Sequence, residues 1–187
     1  DDYELEIGLE GRAQPALKSL DRSGRVVYVG SLSKTLAPGL RLGIVVSPPG
    51  QDRALRAHIR GMASRNVGLS GELARYWIET DTASTILTRS RNELAARRAA
   101  FVDIFRGMPW RCEPGAPYAW VELPEAWSAG RFTSALAARQ VRVTPGTSFN
   151  LTPGKQSRHV RVCFGGPQSG HLTRKGFEII RELMNSE

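Results

Sequence analysis

Two short apolar runs constrain this chain more than any other feature. Arg25-Val26-Val27-Tyr28-Val29-Gly30 and Arg41-Leu42-Gly43-Ile44-Val45-Val46 are rich in β-branched residues and too short for helices. A run of that length without polar alternation reads as a strand buried on both faces, and such strands belong to α/β sheets covered by helices. The segment between them, Ser31 to Leu40, contains Pro38-Gly39 and reads as a loop. If the two strands are neighbours, that loop returns Arg41 to the side of Lys34.

The periodicity changes after Pro48-Pro49. From Asp52 the pattern is helical, and Gly71 to Arg106 spaces Leu73, Trp77, Ile86, Leu87, Leu94, Phe101 and Phe105 among arginines and alanines, with a break expected near Thr80-Asp81-Thr82. After Gly107-Met108-Pro109 the texture becomes short strands and turns. Pro117 to Leu123, Val141 to Val143 and His159 to Phe164 read as strands; Arg131 to Arg139 and Leu172 to Met184 read as helices, the last with Phe177, Ile180 and Leu183 on one stripe. The expected organisation is therefore an α/β unit with a long helix over residues 1–106 and an α+β unit over 107–187.

With 187 residues, 41% of them hydrophobic, the chain can build a real core. Its net charge of +8 comes from 22 arginines and 4 lysines. The arginines are scattered among acidic and apolar residues, with no basic helix of the kind that enters a DNA groove, so the charge reads as solvated surface. Cys112 and Cys163 are too few for a disulfide framework and lie at no metal-ligand spacing with the three histidines, so no metal is expected. No apolar run approaches the roughly 20 residues of a membrane helix, and no charged-then-apolar leader is visible, so a cytoplasmic location is expected. The four tryptophans, Trp77, Trp110, Trp120 and Trp127, read as core and domain-interface packing, and His58, His159 and His171 as ordinary surface or packing residues. The start at Asp1-Asp2-Tyr3, with no initiator methionine, reads as a portion of something longer.

Chemistry concentrates at Lys34. A loop leaving a buried strand is exposed yet rigidly held, which is where α/β proteins place reactive groups. Around Lys34, Ser31 and Ser33 can donate to phosphate oxygens and Arg41 supplies a fork for the same anion. An amine fixed beside an anion site is what a phosphorylated aldehyde cofactor requires. Ser31-Leu32-Ser33-Lys34 also fits the Ser-x-x-Lys nucleophile motif, with Ser64-Arg65-Asn66 as a superficial second element, but Pro38-Gly39 would break the helix which that chemistry needs, and no Lys-Thr-Gly strand follows. A phosphate-binding P-loop fails because its glycines are absent before Lys34-Thr35.

The string Ser31-Leu32-Ser33-Lys34-x-x-x-Pro38-x-x-Arg41-x-Gly43 resembles the pyridoxal-phosphate lysine motif of fold-type I, class I/II aminotransferases. The stretch from Asp1 to Gly30, with Glu10-Gly11-Arg12, Pro15-Ala16-Leu17-Lys18 and Gly24-Arg25-Val26, is similar to the aminotransferase-like domain of MocR-type GntR transcriptional regulators. The fold this implies is the C-terminal part of an aspartate aminotransferase-like large domain, residues 1–106, followed by the small α+β domain, residues 107–187. By the resemblance, Lys34 is the catalytic lysine that carries pyridoxal 5'-phosphate as an internal aldimine. Asp1 pairs with the pyridinium nitrogen, Tyr3 bonds the phenolic oxygen, and Ser31, Ser33 and Arg41 hold the phosphate. Arg161 takes the α-carboxylate of an amino acid or 2-oxo acid, with Arg158 as a competing candidate nearby, and Val143 to Phe149 lines the mouth of the site.

The same resemblance implies a homodimer, and DNA binding only through a winged helix upstream of Asp1. A free-standing aminotransferase is the alternative. The phosphate cup, the ring-stacking aromatic and an asparagine of the family pocket would also lie upstream of Asp1, so the segment alone is expected to bind cofactor weakly, to be inactive, and to expose sheet edge that favours self-association. Many such regulators carry His-x-Arg-x-x-Arg in the long helix, where this chain has Ile86-Leu87-Thr88-Arg89-Ser90-Arg91.

Overall fold

The computed structural model describes residues 15–62, 68–113, 115–152, 154–166 and 169–186. The chain divides into two compact units between Arg91 and Asn92. The change of texture at Gly107 thus falls inside the second unit, because Phe101, Ile104 and Phe105 belong to its core.

The first unit begins with a single helical turn, α1 (Leu17–Leu20), and a tight loop into β1 (Tyr28–Ser31). Gly24 sits in that loop at φ +67°, a conformation that favours glycine. A second helical turn, α2 (Leu32–Thr35), follows directly on β1, and a 3₁₀ turn at Pro38–Leu40 leads to β2 (Gly43–Val46). The two strands pair antiparallel, Tyr28 opposite Val46 and Ser31 opposite Gly43. Here the structure corrects two expectations. The segment after β1 is not an open loop but a capped helical turn, and neither strand is buried on both faces. Val27, Val29, Ile44, Val45 and Val46 are all exposed, Val46 at 47%, because a two-stranded ribbon has too few neighbours to cover its own apolar faces.

Three helices follow. These are α3 (Asp52–Met62), α4 (Gly68–Glu79) and α5 (Thr82–Ile104), within the stretch the periodicity marks as helical. The break falls at Thr80-Asp81 as expected: Asp81 takes a left-handed φ of 59°, and its carboxylate accepts the Ser84 hydroxyl at 2.8 Å as α5 starts. Within the first unit, among the described residues, only Leu40 and Ala74 are buried hydrophobic residues apart from Pro48. Leu69, Tyr76 and Ile78 of α4 are exposed.

The second unit holds the core. After the last turns of α5 come β3 (Trp110–Arg111), β4 (Tyr118–Glu122), α6 (Ala129–Ala138), β5 (Thr144–Pro145), a 3₁₀ turn at Gly146–Phe149, β6 (His159–Cys163) and α7 (Gly170–Met184). The strand expected at Val141 to Val143 is displaced: β5 begins only at Thr144, after Gln140 has turned the chain at φ 61°. Ser128 and Ser169 cap α6 and α7 by accepting the Arg131 and Leu172 N–H groups. The sheet order is β3-β4-β6-β5, antiparallel throughout.

Strict alternation gives this sheet its two faces. Ala119, Val121, Val160 and Val162 point inward and are buried with Phe101, Phe105, Phe132, Leu136, Phe164, Phe177 and Ile180. Phe101 and Phe105 stack at 4.3 Å between ring centres, and Phe177 meets Phe101 edge-on at 5.4 Å. Trp127 lies in this core and Trp110 packs against it, whereas Trp120 stands on the opposite, outer face, opposite Arg161 in the ladder.

Candidate functional site

The Lys34 turn is assembled by one serine and one carbonyl. Ser31 ends β1 in an extended conformation and caps α2, its Oγ accepting the Ser33 N–H at 3.2 Å and donating to the Leu42 carbonyl at 3.3 Å. The Leu42 carbonyl also accepts the Leu32 N–H at 3.1 Å. The chain beyond the Pro38–Leu40 turn is therefore tied to the base of α2, which returns the Arg41 backbone toward the start of the turn that carries Lys34. Thr35 Oγ1 donates to the Ser31 carbonyl at 3.4 Å, and Ser33 and Thr35 face inward, Ser33 at 7% exposure. Lys34 and Arg41 are exposed. Arg41 occupies the left-handed region at φ 51°, ψ 37°, unusual for a residue with a side chain.

Of the expected phosphate ligands, Arg41 presents its charge outward, while the Ser31 hydroxyl proton is engaged with backbone and the Ser33 side chain is turned in. Ser31 and Lys34 do share one helical turn, so the helix that a Ser-x-x-Lys nucleophile needs is present in miniature; it ends at Thr35, and Ser31 spends its hydroxyl on the cap. Asp1, Tyr3 and the Ser64-Arg65-Asn66 stretch lie outside the described residues.

In the second unit, β6 places His159, Arg161 and Cys163 on the outer face of the sheet, opposite Glu122, Trp120 and Tyr118 respectively. The Arg161 guanidinium carbon lies 5.3 Å from the centre of the Tyr118 ring and 5.0 Å from that of Phe149. Its Nε is buried without a hydrogen-bond partner, and among the described residues no carboxylate pairs with it. Arg158 behaves differently. It is exposed and bridges Glu122 and Glu125, each at 3.3 Å.

Phe149 reaches Arg161 from the 3₁₀ turn at Gly146–Phe149, the segment expected at the site's mouth, and also meets Trp120 edge-on at 5.0 Å. A cleft of about 760 Å³ opens beside these rings, with Tyr118, Trp120, Phe149, Asn150 and His159 among its lining. No sequence motif marks Tyr118 and Phe149 as partners of Arg161. The only signal was the position of Tyr118 and Trp120 on one face of an alternating strand. Among the described residues no cluster of three His, Cys, Asp or Glu could hold a metal ion, and no helix is long and apolar enough to cross a membrane.

The backbone architecture is that of the fold-type I aminotransferases: the kynurenine aminotransferase of Pyrococcus horikoshii aligns with a TM-score of 0.80 over 96% of this chain and 45% of its own, at 24% identity. Residues 5–173 match the family model described as aminotransferase class I and II. The chain belongs to that family. Curated relatives include the uncharacterized HTH-type transcriptional regulator YisV of Bacillus subtilis, 29% identical over 100% of this chain and 40% of the relative. Another is the HTH-type transcriptional regulator TauR of Rhodobacter capsulatus, 33% identical over 85% of this chain and 34% of the relative. The chain thus spans well under half the length of these relatives.

Proposed function

We propose that this chain is the aminotransferase-like portion of a GntR/MocR-type transcriptional regulator, which binds pyridoxal 5'-phosphate through Lys34 and senses an amino acid through Arg161. The observation that carries the reading is the Arg161 guanidinium, held over two aromatic rings and, among the described residues, paired with no carboxylate. A cation kept in that state is a receptor for an external carboxylate, which a guanidinium binds bidentately. The alignment of YisV over the full chain supports a regulator as the parent.

The donor set at Lys34 fits the cofactor. Two exposed basic residues, Lys34 and Arg41, stand on a turn stiffened by the Ser31 cap and the Leu42 carbonyl, which suits a ligand bearing both a phosphate and a carbonyl. When bound, pyridoxal phosphate supplies an electrophilic carbon and an electron sink. Lys34 Nζ provides the nucleophilic amine and afterwards carries protons to and from the bound amino acid. Arg41 neutralises the phosphate. Ser31 acts by fixing the turn, and Asp1 and Tyr3 are assigned to the ring nitrogen and phenolic oxygen. The intact protein is a cytoplasmic homodimer that contacts DNA through an upstream winged helix.

The experiment is an absorbance titration of the intact protein with pyridoxal phosphate. A Schiff-base band that disappears in Lys34→Ala, and operator DNA affinity that changes on adding an amino acid to the parent but not to Arg161→Met, are the expected results. Amino-group transfer to a 2-oxo acid without any DNA affinity would favour the free-standing enzyme. No band with the parent would sink both readings.

A further inference from the structure

We infer that Phe149 and Tyr118 are positioning residues for Arg161: they seal its Nε between two rings, so that a ligand carboxylate is gripped end-on by the two terminal nitrogens. This rests on the reading of Arg161 as the carboxylate receptor and specifies how that receptor is built. Three observations carry it. The guanidinium carbon lies 5.3 Å from one ring centre and 5.0 Å from the other, both within the range of a cation–π contact. Nε is buried and has no partner, so it is inaccessible to a ligand. The side chain as a whole remains partly exposed, and among the described residues nothing accepts a hydrogen bond from it, so the terminal nitrogens are what it offers to solvent.

The rings come from different elements. Tyr118 lies on β4, beside the Trp120 position that faces Arg161 across the ladder. Phe149 comes from the 3₁₀ turn after β5 and is itself braced by the edge of Trp120. Phe149 is 46% exposed, and its ring lies over the guanidinium. An arginine left on an open strand samples many rotamers, each of which a ligand must freeze out. Aromatic faces reduce that freedom without competing for the hydrogen bonds the ligand needs, as a carboxylate partner would.

The test uses the intact protein loaded with pyridoxal phosphate, with amino-acid binding followed by cofactor absorbance. The probes are the tightest binder among the twenty protein L-amino acids and the amine that lacks its carboxylate. Phe149→Leu should weaken the amino acid by about five- to tenfold, the scale of one desolvated cation–π contact, and leave the amine unchanged. Phe149→Tyr should restore binding. Equal weakening of both probes would make Phe149 a wall of the pocket and overturn the inference, as would an amino acid bound by Phe149→Leu as tightly as by the parent.

Arg161→Met separates the two levels of the argument. If it loses the amino acid while Phe149→Leu does not, the carboxylate reading stands and the positioning inference fails; if it binds like the parent, the carboxylate reading itself fails. A second measurement is independent of ligand and of variant stability. In arginine-labelled parent protein, the Arg161 Nε–H proton should resonate upfield and exchange slowly with solvent. An unshifted, fast-exchanging signal would overturn the inference even where none of the probes binds.

Discussion

The Arg97 side chain donates from Nη1 to the carbonyl of Phe164, 3.0 Å away, and so ties α5 to the residue just after β6, 67 positions further on. Its Nε donates to Glu93 at 2.8 Å, one helical turn back. Arg97 is only 8% exposed, whereas the Glu93 side chain is half in solvent. Of these two contacts the tie to the carbonyl is the stronger, since water screens the ion pair.

Replacing Arg97 with Ala should destabilise the second unit by about 2 kcal/mol, from a charge-assisted hydrogen bond lost and a buried carbonyl left bare. Glu93→Gln should cost less than about 1 kcal/mol. Urea unfolding followed by tryptophan fluorescence reads both. Equal losses for the two variants would mean that the ion pair, not the carbonyl tie, holds the helix to the strand.

Asp21 governs the turn that feeds β1. Its Oδ2 accepts the Val26 N–H at 2.9 Å and the Lys18 ammonium at 3.4 Å, while Oδ1 accepts the Ser23 and Arg25 N–H groups at 3.1 and 3.2 Å. Above all the Val26 N–H holds the carboxyl well below its ordinary value of 3.8, against the burial that pushes it up, with the Arg25, Lys18 and Ser23 donors adding to the effect. A carboxyl depressed in the folded state contributes its full stability above the unfolded value and loses it as pH falls through the folded one. The turn should therefore hold at pH 5 and loosen progressively below about 3.8. Amide exchange at Val26 measures this, and in Asp21→Asn the protection should be low already at pH 5. A Val26 amide equally protected in both proteins would remove Asp21 from that role.

How much of this was legible beforehand depends on the range of the interaction. The proline-led turn and the returning strand of the Ser31-to-Gly43 string could be read because their geometry is local, within about a dozen residues, whereas the Ser31 cap and the helical turn it starts were read as open loop. Burial of the two strands could not be read, because Val29 and Val45 are apolar whether or not anything packs on them. Arg161 was readable as one arginine in a strand beside Arg158, but the pairing of Arg158 with Glu122 and Glu125, from β4 and the loop after it, was not. The rings around Arg161 require the β4–β6 register and a turn from elsewhere in the chain, neither of which a local pattern encodes.

Gly146 is where that turn meets β6. A Cβ added there would overlap the Ser157 hydroxyl and sit 2.8 Å from the His159 carbonyl, and the carbonyl is backbone that cannot swing aside. Gly146→Ala should displace the 3₁₀ turn and with it Phe149. The expected outcome is a loss of about 1–3 kcal/mol, as for overpacking elsewhere, together with the same selective weakening of carboxylate ligands that Phe149→Leu produces. Unchanged stability would mean that the turn and β6 yield to a methyl group there without cost.

Arg41 combines a charge that faces solvent with a backbone in the left-handed region, φ 51° and ψ 37°. The two properties can be separated by comparing two substitutions. Arg41→Ala and Arg41→Gly remove the same charge, and each should weaken pyridoxal phosphate by on the order of tenfold or more, the scale of a charge-assisted contact to phosphate. Only glycine relieves the backbone, which costs a residue with a Cβ roughly 1–2 kcal/mol in this conformation, partly offset by the greater freedom of glycine in the unfolded chain. Arg41→Gly should therefore be more stable than Arg41→Ala by about 0.5–1 kcal/mol in urea unfolding while binding cofactor no better. Arg41→Ala as stable as Arg41→Gly would show that the turn accepts a side chain there without strain, and cofactor affinity unchanged in both would take the phosphate away from Arg41.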